Sequence, residues 1–140
     1  MVGILLITHN GLGDSLIDCV GHVMGNVPPN LKAMSVLASD DPAHKEEQAR
    51  SLIAQLDDGQ GVLVLSDVFG ATPCNIARRV CVPGRVEGVA GVNLPMLLRV
   101  ACYCNKTLQE QVQRALDGGK DCIVSLDSEG SDVATRCADN

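Results

Sequence analysis

Apolar residues in this chain occur either in short unbroken runs or at every third or fourth position over longer stretches. The first run, Val2-Gly3-Ile4-Leu5-Leu6-Ile7-Thr8, predicts a buried strand that stops at His9 and the polar, glycine-rich Asn10-Gly11-Leu12-Gly13-Asp14. Leu12, Leu16, Ile17, Val20, Val23 and Met24 then recur at helical spacing until Gly25-Asn26. A second strand is expected around Met34, Val36 and Leu37. A second helix should start at Asp41-Pro42, with aspartate as N-cap and proline at the first helical position. Its face is Ala49, Leu52, Ile53 and Leu56, ending at Gly59.

Gly61-Val62-Leu63-Val64-Leu65-Ser66 is the strongest strand signal, a continuous aliphatic run suited to a central parallel strand covered on both faces. After Asp67-Val68-Phe69-Gly70-Ala71, a third helix is expected, with Thr72 as cap and Pro73 as first residue, broken by Pro83-Gly84. Val86 to Ala90 predicts a fourth strand, and Asn93 with Pro95 begins a helix carrying Met96, Leu97 and Val100. Thr107-Leu108-Gln109-Glu110 is a capping box, opening a helix expected to stop at Gly118-Gly119. Cys122-Ile123-Val124-Ser125-Leu126 predicts a C-terminal edge strand. Strands alternating with helices imply an α/β fold: a doubly wound, mostly parallel sheet with helices on both faces. One domain is expected over residues 1–127, with a disordered tail over 128–140 that is small and polar.

Composition narrows the function. Hydrophobic residues make up 46% and charged residues 20% of 140 residues, ordinary for a globular chain. The formal charge of −6 argues against a nucleic-acid partner, because phosphate backbones select basic surfaces. No apolar run approaches the ~20 residues that cross a bilayer, and no basic region precedes the first apolar segment, so a cytoplasmic location is expected. The seven cysteines are odd in number and scattered without a CxxC, so they are expected to be mostly small buried thiols rather than a disulfide or zinc framework. No metal site and no cofactor are expected.

Candidate chemistry lies at two strand ends. In a sheet ordered 2-1-3-4, strands one and three are neighbours, and ligands collect in the crevice at their carboxyl ends. His9 and Asp67 would meet there. A carboxylate on one imidazole nitrogen fixes the tautomer and leaves the other nitrogen free to attack. Taken singly, His9 reads better as a loop-capping histidine, and Asp67 as a loop carboxylate or a cap. Gly70 allows close approach of the backbone, and the helix start at Thr72-Pro73 aims N–H groups and a positive dipole end at the same crevice. Cys74 and Asn75 would supply helix amides, and Thr72 a hydroxyl. A nucleophilic histidine, an orienting aspartate and an anion cradle together suggest phosphoryl transfer through phosphohistidine. His22 and His44 are read as exposed. Arg78, Arg79 and Arg99 are read as solvated surface charge, with partner docking as the lesser reading. Cys74 lacks the C-x₅-R spacing of a cysteine phosphatase, since Val80 occupies the arginine position.

From Val2 to about Leu126 the chain resembles the IIA component of the mannose-type (mannose/fructose/sorbose) phosphoenolpyruvate-dependent sugar phosphotransferase system. The resemblance is carried by Ile7-Thr8-His9, Gly61 to Asp67, Phe69-Gly70-Ala71-Thr72-Pro73 with Asn75, and Ala90-Gly91-Val92-Asn93-Leu94-Pro95-Met96-Leu97. It implies that His9 accepts a phosphoryl group from the phosphocarrier protein HPr, forms a phosphohistidine and passes the group to a IIB partner, serving a membrane IIC/IID complex only indirectly. It implies that Asp67 hydrogen-bonds the histidine, and that Gly70, Ala71, Thr72, Cys74 and Asn75 surround the phosphoryl group. Ala71 stands where the family has a second glycine, which matters only if the loop needs φ > 0 there. Thr72 replaces a serine and keeps the hydroxyl. The resemblance also implies a homodimer whose C-terminal strand is exchanged, although Cys122 to Leu126 fits an intrachain edge strand as well. A regulatory phosphohistidine module signalling to a non-transport partner is the alternative function. A flavin binder fits worse, for Phe69 and Tyr103 are the chain's aromatics.

Overall fold

The computed structural model describes residues 1–102 and 105–127, so the expected tail lies outside the described residues. Strands β1 (Gly3–His9), β2 (Leu31–Val36), β3 (Val62–Ser66) and β4 (Val86–Ala90) alternate with helices α1 (Leu12–Met24), α2 (Pro42–Leu56), α3 (Thr72–Val80) and α4 (Leu94–Ala101), and α5 (Leu108–Asp121) follows. All strand pairs are parallel, and their order is β2-β1-β3-β4. This is the doubly wound order that the alternation of runs and periodic stretches implies.

Side chains alternate across the sheet and split the core in two. Ile4, Leu6, Leu63 and Leu65 face α1, α4 and α5 through Val20, Leu97, Val100 and Ala115. Leu5, Ile7, Val62 and Val64 face α2 and α3 through Ala49, Ile53, Ile76 and Val80. Both central strands are covered on both faces, which is why their sequences are unbroken aliphatic runs. Full burial of each such side chain contributes roughly 2 kcal/mol, so these eight strand positions anchor the strand ends that carry the polar residues.

Three expectations change. Strand β2 begins at Leu31, while Leu37 lies beyond its end and is exposed. Helix α5 does not stop at Gly118-Gly119. A Cβ on Gly119 would meet Met96 Cε at 2.7 Å, and one on Gly118 would meet Arg99 Cβ at 3.1 Å. These glycines are close-approach positions between α4 and α5, not a terminator. Finally, Cys122 to Leu126 forms no strand in the single chain and joins neither sheet edge, β2 nor β4. An extended segment is stabilised only by a partner edge, and Ile123 and Leu126 here stay exposed.

Candidate functional site

Ile7 is in register with Ser66, so β1 and β3 leave the sheet side by side. Two residues on, the His9 backbone N–H donates to Asp67 Oδ2 at 2.9 Å. His9 Nδ1 lies 2.7 Å from the same oxygen. The other carboxylate oxygen, Oδ1, accepts the Val68 N–H at 2.8 Å. Burial alone would push the Asp67 carboxyl up. The His9 amide, the His9 ring and the Val68 amide outweigh it and hold the group below its ordinary value. An ionised acceptor assigns the proton to Nδ1, which leaves Nε2 with its lone pair. The Asp67 side chain is 7% exposed and the His9 side chain 48% exposed, so a fixed buried group orients a half-open one.

The backbone turns away immediately after His9. Asn10 is left-handed at φ 49°, a conformation asparagine tolerates, and its N–H donates to Val36 O at 3.0 Å. Thr8 is fully buried, and its Oγ1 accepts the Gly13 N–H at 2.9 Å, tying the first turn of α1 to the strand end.

His9 opens into a cleft of about 340 Å³. Asn10 lines it beside His9, Thr72 and Pro73 form one wall, and Leu37 and Asp40 form the other. The second wall is absent from the sequence reading. It was discernible in principle: the polar Ser39-Asp40-Asp41 follows β2, and β2 neighbours β1, so its carboxyl-end loop flanks the same crevice.

The α3 start differs in detail from expectation. The N-cap is Ala71, at φ −88° and ψ 170°, and no side chain caps the helix. Thr72 is therefore the first helical residue, not the cap. The Asn75 N–H donates to Ala71 O at 3.0 Å and is consumed by the helix. Among the described residues the amides of Thr72 and Cys74 have no such bond, so Thr72 replaces Asn75 as the second helix donor. Gly70 is left-handed at φ 89°, which is where the loop requires glycine. Ala71 sits in ordinary extended space, so its Cβ costs nothing.

Other candidates separate from the cleft. The Cys74 thiol is buried and lines a different cavity, of about 110 Å³, with Ala77, Cys81 and Gly88. Only its amide remains a candidate contributor. Asn75 lines an open depression with Arg78 and Arg79. Arg99 is not a solvated charge but is 7% exposed beneath α5. His22 and His44 are exposed. Cys19 and Cys102 are also exposed, Cys81 is half-buried, and Cys122 is disulfide-bonded, so the expectation of small buried thiols describes Cys74 alone among these.

The loop after β4 braces the site. Gly91 N–H donates to Asp67 O at 3.0 Å and Val92 N–H to Ser66 O at 2.9 Å. Asn93 Oδ1 accepts the Met96 N–H at 2.9 Å, and its Nδ2 donates to Gly119 O at 3.0 Å. The Gly91-Val92-Asn93 segment thus ties together β3, α4 and α5.

Residues 3–116 match the family described as PTS system fructose IIA component. The chain is 27% identical over 128 residues to the PTS system mannose-specific EIIAB component of Escherichia coli (strain K12), covering 89% of this chain and 39% of that protein. It thus spans about two fifths of the length of that relative. It is 29% identical over 101 residues to the PTS system fructose-specific EIIA component of Bacillus subtilis (strain 168), covering 71% of this chain and 68% of that one. The fold is similar to the mannose/sorbose specific IIA subunit of the phosphotransferase system from Enterococcus faecalis, with TM-score 0.81 and 20% identity over 92% of this chain and 97% of the other.

Proposed function

This chain belongs to the family of PTS system fructose IIA components, a phosphotransferase family, and we propose that His9 is its phosphoryl carrier. The observation that carries the reading is the 2.7 Å contact of His9 Nδ1 with Asp67, which commits one ring nitrogen and leaves Nε2 at the cleft beside an uncapped helix start. In the proposed reaction the Nε2 lone pair attacks the phosphorus held by phospho-HPr. The bond from phosphorus to the donor breaks, and its electron pair leaves with the donor. The His9 ring, now bonded to phosphorus at Nε2 and protonated at Nδ1, is cationic, and the Asp67 carboxylate stabilises it. The Thr72 and Cys74 amides, the Thr72 hydroxyl and the positive end of α3 face the phosphoryl oxygens. Gly70 and Ala71 shape the loop without supplying a side-chain donor. Transfer to a IIB partner reverses these steps on a new acceptor and, through it, serves a membrane complex.

This role places the protein in the cytoplasm, and no described helix is long and apolar enough to cross a membrane. The exposed Ile123, Val124 and Leu126 fit a homodimer in which this segment pairs with a second copy. To test the carrier role, the protein is incubated with phosphoenolpyruvate, enzyme I and HPr, and intact mass is measured. One acid-labile phosphoryl group is expected, and its persistence in His9→Ala would overturn the assignment.

A further inference from the structure

A cavity of about 110 Å³ lies where α3 packs on β3 and β4. Ser66, Gly88 and Ala90 line it from the strands, and Cys74, Ala77 and Cys81 line it from α3 and its C-cap. Val62 and Val64 face α2 and α3, so Ser66, next in that alternation, projects to the same side and into this space. Ser66 is 2% exposed, and among the described residues its hydroxyl has no hydrogen-bond partner. A Cβ on Gly88 would meet Cys81 Sγ at 3.1 Å, so the bare strand backbone there keeps the space open. Phe69 is 73% exposed and stands at the rim, with Arg78 Cζ 5.9 Å from its ring centroid.

We infer that this cavity binds a small 2-oxo monocarboxylate, with the carboxylate on Arg78 at the rim and the keto oxygen on the Ser66 hydroxyl. The site is separate from the His9 cleft and stands without the carrier reading. Charge points to a monoanion. Arg78 is the one ionised side chain of the lining. Lys45, Arg50, Arg85 and Lys106 each lie against a carboxylate, whereas among the described residues Arg78 pairs with none. Burial, with the Glu87 carboxylate and Cys74 adding to it, pushes the Cys81 thiol up, so the α3 wall stays neutral. An arginine stacked on an aromatic ring keeps its in-plane N–H donors for a carboxylate. A phosphate dianion would bring a second charge that nothing in the lining balances. Size and polarity point to the rest of the ligand. A cavity of about 150 Å³ holds benzene, so this one suits a body of about three or four carbons. Water alone fits poorly, because each molecule needs at least about two polar partners, and the side chains inside offer one hydroxyl and weakly bonding thiols. A keto oxygen accepts the Ser66 proton that otherwise has no acceptor. Ser66 and Phe69 bracket Asp67 in the chain, so a bound acid braces the segment that orients His9.

Pyruvate is the probe. It is titrated into the isotope-labelled full chain while backbone amide shifts are followed. The Ser66, Asp67, Phe69 and Gly88 amides should shift together and saturate at roughly millimolar pyruvate, as suits so small a ligand. Ser66→Ala and Arg78→Gln should each weaken binding by about tenfold. Both variants keep the fold, since one loses a hydroxyl without a partner and the other changes an exposed side chain. Propionate, which lacks the keto oxygen, should bind wild type about tenfold more weakly than pyruvate and bind Ser66→Ala as it binds wild type. Absence of saturation by about 50 mM pyruvate would overturn the inference, as would unchanged pyruvate affinity in either variant. Propionate binding as tightly as pyruvate would overturn the 2-oxo assignment. Shifts confined to His9 and Thr72 would put the anion in the His9 cleft and overturn the site.

Discussion

The loops that follow β3 and β4 begin in register and end differently. Ser66 pairs with Ala90, so Asp67 and Gly91 occupy equivalent positions just past the two strands. Each loop leads to a helix with proline in its first turn, Pro73 in α3 and Pro95 in α4. At α4 the Asn93 side chain accepts the Met96 N–H and closes the helix start on itself. At α3 the corresponding residue, Ala71, supplies no side-chain acceptor, and among the described residues the amides of Thr72 and Cys74 form no backbone hydrogen bond. Helices α2 and α5 are likewise capped by Asp41 and Thr107. The two helices without a side-chain cap at the N-cap position, α1 and α3, are those whose starts adjoin His9. One strand-loop-helix unit thus closes its helix start with its own side chain, while its neighbour leaves the start without a side-chain cap beside the His9 cleft.

The contrast is broken most severely at Asp67. Asp67→Asn keeps the shape but loses the ionised acceptor for Nδ1–H, and phosphorylation by phospho-HPr should slow by at least about a hundredfold in initial-rate measurements. Next comes conversion of the α3 start into the α4 type. Ala71→Asn offers the Cys74 amide an internal acceptor and should slow transfer by roughly tenfold or more, while raising unfolding stability by about 1 kcal/mol. Parallel rate and denaturant measurements would show the opposed signs. A variant that is both more stable and fully active would remove the open amides from the mechanism. The reciprocal change, Asn93→Ala, should lower stability by about 1–2 kcal/mol and leave phosphorylation within about twofold of wild type.

The smallest effect is a pH dependence. The folded Asp67 carboxyl titrates below its ordinary value, so its contribution to stability is present above about pH 4 and lost as pH falls through the folded value. Denaturant midpoints from about pH 6 down to about pH 3 should therefore fall more steeply in wild type than in Asp67→Asn.

Much of this was legible in linear order. The aliphatic run before Asp67 announces a central strand, and Thr107 and Glu110 announce the α5 start, where the Thr107 hydroxyl accepts the Glu110 N–H at 3.2 Å. Strand order 2-1-3-4 made the His9–Asp67 pairing an expectation. The misreadings came where a residue type has two uses. Gly118-Gly119 looks like a helix stop but serves contact between α4 and α5, and Thr72 looks like a cap but lies inside the helix. Cys74 follows the Gly70-Ala71-Thr72-Pro73 loop in sequence, yet it is buried and lines the neighbouring cavity rather than the cleft of His9.

The amino-acid sequence by itself determined the alternation of strands and helices, because burial on both sheet faces demands unbroken aliphatic runs and burial of one helix face demands periodic ones. It also determined that His9 and Asp67 stand at strand ends. Only the tertiary structure decided which imidazole nitrogen is held, which helix amides remain open, and that Leu37 and Asp40 complete the cleft. Those outcomes depend on distances of a few ångströms between segments far apart in the chain. Local propensity does not encode them; strand register and helix phase do.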